Sequence, residues 1–442
     1  MDRATLRSLD WQEITPNAEG DWINQRDERF PSFQPLSMKD GRDAIFASNG
    51  AGLQTNRDAW VYNSSSEHLI SNVTRMIDNY NGEVARWEGA GKPTPVESFI
   101  DKDPARISWA RSLRAALAKG EKLPKANEES RRVGVYRPFN KQAVYFARLL
   151  NHERGQQPKY FPVRDMNNCG FYVVGPGNDK PFTALMTDAL PDLSFWGSGQ
   201  GQFFPRYTYA ESSGDLFSQA DGPSSPADRY TGVDNITDAT LASYRAAYGE
   251  AVTKDDIFYY VYGLLHSPDY RERFAADLKK MLPRIPQVPS VEDFRAFSDA
   301  GRALSELHIG YETVEPFALQ EQWAATADGL DEYERFRVTK MKYGGKSGAW
   351  DKTTVKYNGW LTLTGIPEEA QRYMLGSRSA LDWILERYQV KTDKASGIEN
   401  NPNDWSREHG QPRYIRDLIG RIVTVSLETM KIVDSLPKLE VE

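Results

Sequence analysis

The chain has 442 residues, with 55 Lys and Arg against 62 Asp and Glu, 39% apolar and 26% charged residues, and one cysteine. That length supports two or three domains with ample core; the composition excludes a disordered or collagen-like chain, and the lone Cys169 excludes an internal disulfide framework or thiolate metal cluster. A net charge of −7 argues against a nonspecific polycation, yet nucleic-acid binding depends on where the cations sit.

Residues 1–40 alternate turn residues with aromatics and suggest a linker that docks locally. "DAIFASNGAGLQTNRDAWVYN" suggests strand, loop, strand. The spacing of Leu69, Val73, Met76, Ile77 and Tyr80 predicts an amphipathic helix. A further helix is expected in "PARISWARSLRAALAKG", with Pro104 in its first turn and Gly120 as its stop. Residues 133–150 suggest a hairpin or two short strands around Pro138–Lys141, and 161–196 should carry most of the sheet. The Gly, Ser, Pro and Asp content of 211–235 predicts a long surface loop and a soft boundary.

Beyond it, "DDIFYYVYGLLHSPDYRERFAADLKKML" predicts two helices, the second starting at Ser267-Pro268. A third follows, with Leu304, Leu307 and His308 near one face. From 335, alternation about Gly344-Gly345 favours antiparallel strands with an open loop, and Pro367 begins a helical C-terminus. The fold class is therefore α+β, a mixed sheet-containing region with a helical block and helical end. Four divisions are expected: 1–40 as linker or coupling segment, 41–235 as an α/β recognition subdomain, 236–330 as helical, and 331–442 as basic strands plus helices. Neither a signal peptide nor an apolar run of roughly 18 residues is present, so a cytoplasmic chain without a conventional membrane span is expected.

Enzymatic motifs are weak. Gly345-Lys346-Ser347 ends like a phosphate loop, but Lys340 stands where that loop needs its first glycine. Asn401-Pro402-Asn403-Asp404-Trp405 has the wrong middle for an amino-methyltransferase tetrapeptide, and no glycine-rich cofactor loop precedes it. Asp269, Asp277 and Lys279 superficially resemble a metal-dependent nuclease set, although residues two apart in a helix face different ways. The histidines at 68, 152, 266, 308 and 409 show no metal-ligand spacing. No catalytic, cofactor or metal residue is assigned.

Cations concentrate in two segments. Arg131, Arg132, Arg137, Lys141 and Arg148 fall in a window without an acid. Arg335, Arg337, Lys340, Lys342, Lys346, Lys352 and Lys356 share theirs with Asp351 alone, interleaved with Tyr343, Trp350 and Tyr357. Such a segment can track a phosphate backbone or merely form a solvated strand face. In Asn56-Arg57-Asp58, Arg57 could grip guanine and Asn56 adenine; equally, Asp58 could fix Arg57 within a turn. The candidate DNA-binding residues are Asn56, Arg57, Arg137, Lys141, Arg335, Arg337, Lys340, Lys342, Lys346 and Lys352.

The stretches "NGAGLQTNRDAWVYN", "VYRPFNKQAVYF", "FTALMTDALPDLSF", "QFFPRYTY", "IFYYVYGLLHSPDYRERFAADLKKMLPRIP", "AGRALSELHIGYE", "YNGWLTLTGIPEEAQRYMLGSRSALDWILERYQV" and "SGIENNPNDW" resemble, in order, the region after the methyltransferase domain of type ISP restriction–modification enzymes. The resemblance covers nearly the whole chain. It implies a target-recognition module for double-stranded DNA without catalytic activity of its own. The implied partners are the methyltransferase, helicase-like and nuclease domains of the same bacterial enzyme. S-adenosylmethionine, Mg²⁺ and ATP would belong to the complete enzyme. It also suggests that Met1 is a truncation start or the start of a split gene product. The alternatives are a docking module, with residues 255–312 as its contact surface, or a Mg²⁺-dependent nuclease.

Overall fold

The computed structural model describes residues 13–41, 43–212 and 225–441. Its architecture is α+β, several small sheets wrapped by helices. The Ser66–Gly89 helix is capped by the Ser65 side chain, which accepts from the His68 amide at 2.9 Å and satisfies one of the orphan N–H groups of the first turn. Leu69, Val73, Met76, Ile77 and Tyr80 are all buried along its inner stripe, as their spacing predicts. The next helix starts later than expected, at Arg111, and ends at Ala118. Pro104 lies outside it because Asp101 and Asp103 hold that stretch in turns, accepting from the amides of Asp103 and Ala105 at 2.9 Å. Gly120 follows the helix with φ +71°.

The segment 43–63 is not strand–loop–strand. It makes single bridges at Phe46, Gly50, Leu53 and Gln54, then a helical turn at Asp58–Val61 and a two-residue strand, Tyr62–Asn63. Strands Arg131–Arg137 and Asn140–Tyr145 form the expected hairpin, with Phe139 at φ +55° in the turn. Tyr62–Asn63 pairs with one side of this hairpin and Leu190–Pro191 with the other, the latter in parallel. Residues 161–196 supply less of the sheet than expected, because a second four-stranded sheet is built from Gln320–Trp323, Lys342–Lys346, Ala349–Lys356 and Leu361–Thr364. Within it the strand runs through Gly344-Gly345 rather than opening there. A register shift after Tyr343 absorbs the irregularity, and the reversal falls at Ser347-Gly348.

The three-stranded sheet of Gly170–Val174, Ala184–Thr187 and Gly201–Pro205 explains how the two apolar cores meet. Successive strand side chains point to opposite faces. Phe171, Val173, Ala184, Met186 and Phe204 join one core; Tyr172, Val174, Leu185 and Phe203 join the other. Both faces are thus covered, consistent with the unbroken apolar run Phe171–Val174.

The first of these cores is completed by Phe30, Phe33, Leu36 and the helices Lys254–Leu264 and Val291–Ile309. These two helices cross at Gly263 and Gly301, where a Cβ on Gly301 would stand 1.9 Å from the Tyr259 carbonyl oxygen. The helix after Ser267-Pro268 begins as expected, capped by Ser267, but breaks at Phe274. The apolar faces of this block are consumed internally, which removes the surface on which a docking role had rested. At 211–235 the described residues form a ribbon rather than a loop, Tyr207–Glu211 against Tyr230–Asp234; residues 213–224 lie outside the described ones. The long Tyr414–Asp434 helix closes the other core with Ile415, Leu418, Ile419, Ile422 and Val423.

Candidate nucleic-acid interface

A cleft of about 800 Å³ opens between the 53–64 segment and residues 387–402, with Tyr136, Gln142 and Asp192–Ser194 between them. Side-chain amides tie its walls together. Asn63 Nδ2 donates to the Glu399 carbonyl at 3.1 Å, the Ser64 amide donates to Asn400 Oδ1 at 3.0 Å, and Asn400 Nδ2 donates to Gln142 Oε1 at 3.1 Å.

Asn56 sits exposed at the rim with φ +55°. Arg57 behaves differently. It is only 4% exposed, its Nη1 donates to the Leu149 carbonyl at 3.1 Å, and Nε and Nη2 are buried without a partner. Burial pulls its pKa down to about 10. Asp58 does not fix it, because the Asp58 carboxylate accepts instead from the Thr55 hydroxyl and from Tyr136 Oη at 3.0 Å.

Charge is dense at and behind the lining formed by Asp192 and Arg387. Arg137, 7% exposed, donates to Asp192 Oδ1 at 2.7 Å. Burial raises the Asp192 carboxyl to about 7, against the opposing pull of Arg137. Glu386 lies between Arg378 and Arg387, the latter at 2.6 Å. Burial lowers Arg387 to about 10, with the charge of Arg137 adding to the effect. Lys391 has no carboxylate within 4 Å among the described residues; desolvation and the charges of Arg387, Arg378 and Arg137 lower its ammonium. Residues 387–391 were not singled out from the sequence. The signal available was the density of cations at Arg387, Lys391 and Lys394.

Four of the five 131–148 cations are paired with acids from outside their window, Arg137 with Asp192 among them. Arg131 meets Glu128 at 2.7 Å, Arg148 meets Glu121 at 2.6 Å, and Lys141 sits 3.3 Å from both Asp188 and Glu312. Arg132 donates to the Glu129 carbonyl. Arg137 and Lys141 therefore serve internal pairs, and most of the local excess of charge is cancelled across the fold.

The 335–356 segment is arranged otherwise. Arg335 lies over the Trp323 ring at 4.4 Å, and Lys352 reaches Asp382 at 3.2 Å. Arg337, Lys340, Lys342, Lys346 and Lys356 are exposed, with no carboxylate within 4 Å among the described residues. Lys342 and Lys356 stand directly opposite each other across the strand pair. This segment also adjoins the cleft wall. The Val390 amide donates to the Thr339 carbonyl at 3.1 Å, and Asn403 clasps Val338, accepting from its amide at 2.8 Å and donating to its carbonyl at 2.7 Å. Lys340 and Lys391 are thus each one residue from a shared backbone hydrogen bond.

The alternative chemistries find no assembly here. Gly345-Lys346-Ser347 lies in a hairpin rather than before a helix. Asp269 Oδ2 accepts from the Leu439 amide, whereas Asp277 is buried and accepts from the Asp27 amide at 3.1 Å. Burial raises the Cys169 thiol to about 11, far from a reactive thiolate. No described helix is long and apolar enough to cross a membrane.

Solved structures resemble nearly the whole chain. A nuclease-deletion mutant of the Type ISP restriction-modification enzyme LlaGI, in complex with a DNA substrate mimic, is 35% identical with a TM-score of 0.80, covering 99% of this chain and 37% of that one. The ATP-dependent Type ISP restriction-modification enzyme LlaBIII bound to DNA is 32% identical with a TM-score of 0.81, over 98% of this chain and 26% of that one. The DrdV–DNA complex is 29% identical with a TM-score of 0.77, over 98% and 41%. This chain therefore spans well under half the length of each. No curated protein matches it. The model of the Type ISP C-terminal specificity domain matches residues 44–418, and the chain belongs to that family.

Proposed function

We propose that this chain recognises a specific double-stranded DNA sequence on behalf of a larger type ISP restriction–modification enzyme. It would position the duplex for methyltransferase, helicase-like and nuclease domains elsewhere in that enzyme. S-adenosylmethionine, Mg²⁺ and ATP would act in those domains, in the bacterial cytoplasm.

The observation that carries this reading is the Lys342–Lys356 register. Like charges directly opposite on neighbouring strands disfavour the sheet, and both ammonium groups here lack a carboxylate within 4 Å among the described residues. An external row of phosphates relieves that repulsion and releases counterions in doing so. Arg337, Lys340 and Lys346 extend the surface, and Lys391 joins it from the cleft wall. In this reading the hairpin cations hold the backbone, and Asn56 at the rim reads base edges; Arg57 reaches a base only if its side chain leaves the Leu149 carbonyl. A good bidentate base contact discriminates by about 1–3 kcal/mol.

The test is selection from a randomised duplex pool at two salt concentrations. Sequence enrichment together with salt-dependent binding supports recognition. Loss of both sinks it.

A further inference from the structure

Trp350 is the least accounted-for aromatic of the basic sheet. Its neighbours in that sheet anchor their indole N–H groups, Trp323 to Glu321 at 3.1 Å and Trp360 to the Arg335 carbonyl at 2.8 Å. Trp350 is 48% exposed and makes no side-chain hydrogen bond or ring contact among the described residues. The residue opposite it is Gly345, at φ +73°, so no cross-strand side chain covers the ring. Gly345 also admits no substitute easily, because a Cβ there would stand 2.4 Å from the Ala349 carbonyl oxygen. The strand that carries Lys342 and Lys346 is the outer edge of its sheet, so the hairpin's far side is unobstructed by another strand.

The charge on the hairpin narrows the choice of partner. Lys346, paired with Ala349 at the reversal, and Lys342, further along the same edge, alternate onto the face opposite Trp350, both exposed and with no carboxylate within 4 Å among the described residues. Asp351, the one acid of the segment, is occupied within its own turn, accepting from the Thr353 amide at 3.0 Å and the Thr353 hydroxyl at 2.6 Å. A hairpin that carries a bare indole on one face and exposed lysines on the other is complementary to a polyanion whose apolar surfaces lie between its charges. DNA has that form, with base faces and sugars between rows of phosphate, and exposed aromatic or apolar side chains on strand-built readers pack against them.

We infer that Trp350 is a direct DNA contact, its indole packed against a base or deoxyribose in the groove while Lys342 and Lys346 hold the flanking phosphates. This rests on the recognition reading above and adds a residue and a contact type to it. Removing the ring should weaken binding at every salt concentration without altering the salt slope, because no counterion is released by an apolar contact.

The experiment compares the full 442-residue chain with its Trp350→Ala, Trp350→Phe and Lys346→Gln variants on an enriched duplex carrying 2-aminopurine, across a salt series. Trp350→Ala is expected to lose on the order of 10-fold in affinity at unchanged slope, together with the 2-aminopurine response. Trp350→Phe should retain most of both, and Lys346→Gln should reduce the slope. Unchanged affinity in Trp350→Ala, or a slope reduced as in Lys346→Gln, overturns the inference and leaves recognition standing. Absence of salt-dependent duplex binding by the unaltered chain overturns the recognition reading and this contact with it. Matching unfolding midpoints confirm that the variants are folded.

Discussion

Gly263 and Gly301 meet backbone to backbone, each occupying the space that a side chain on the other's helix would need. A Cβ on Gly263 would lie 2.0 Å from the Phe297 carbonyl oxygen, and one on Gly301 would lie 1.9 Å from that of Tyr259. These contacts are with backbone, so no rotamer change relieves them. Gly301→Ala must force the Lys254–Leu264 and Val291–Ile309 helices apart. We expect a loss of about 3 kcal/mol or more, seen as a lower urea midpoint. Gly89→Ala, where nothing lies within 4 Å of the added Cβ, is the control and should leave the midpoint almost unchanged.

The buried Arg137–Asp192 pair should respond asymmetrically to truncation. Asp192→Asn strands a guanidinium that cannot lose its proton, at a cost of about 3–5 kcal/mol. Arg137→Met strands a carboxyl that burial already biases towards its neutral form. An acid whose folded pKa is raised gives stability that is present at low pH and lost as pH rises. Arg137→Met should therefore be milder at pH 5.5 than at pH 8. Equal destabilisation at both values would contradict this account.

Acid should weaken the fold through two histidines. Tyr262 Oη accepts from the Met186 amide at 2.8 Å and donates to His308 Nδ1 at 2.6 Å, leaving His308 Nε2 to donate to Thr429 or Tyr373, each at 3.0 Å. His266 Nδ1 donates to the Tyr262 carbonyl at 2.9 Å, and its Nε2 is buried without a partner. Burial lowers His308 to about 3 and His266 well below its ordinary value, with Arg271 adding to both. The unfolded chain takes up these protons near pH 6.5 and the folded chain does not, so stability is complete above that value and falls below it. Each histidine should remove about 1.4 kcal/mol between pH 7.5 and 5.5. Because the raised Asp192 carboxyl gains stability over the same fall in pH, the test is a comparison: between these two pH values His308→Gln should lose about 1.4 kcal/mol less than the unaltered chain in urea titrations.

Lys342→Gln should separate stability from binding. It removes a like-charge neighbour from Lys356 and should leave the unfolding midpoint equal or slightly higher. In salt titrations on a duplex, the same change should reduce the slope of log K against log salt by about 0.9. Arg148→Gln, already paired to Glu121, should leave that slope alone. A slope altered by Arg148→Gln and unmoved by Lys342→Gln would place the phosphate surface elsewhere.

What could be read from residues alone follows the range of the physics. The Leu69–Tyr80 stripe is a local periodicity, and every one of its members is buried. The α+β class and the hairpin about Pro138–Lys141 follow from equally local signals. The fate of each cation is not local. Arg137 finds Asp192 55 residues away, and Lys141 finds Glu312 across a still longer span, so a window without acids gave no warning of neutralisation. Pro104 misled because two aspartates hold its neighbourhood in turns, which outweighed the usual place of proline at a helix start. The cleft was invisible for the same reason as the ion pairs, its walls being more than 300 residues apart in the chain.

The Gly170–Val174 strand and its two partners serve as a common wall, with Phe171 facing one interior and Tyr172 the other. Neither interior can dissolve without laying bare the back of its neighbour's lining. Melting is then a single event, registered alike by probes on either side. Binding that stabilises one chamber should then raise the melting point registered in the other, since whatever holds one closed holds the partition upright for both.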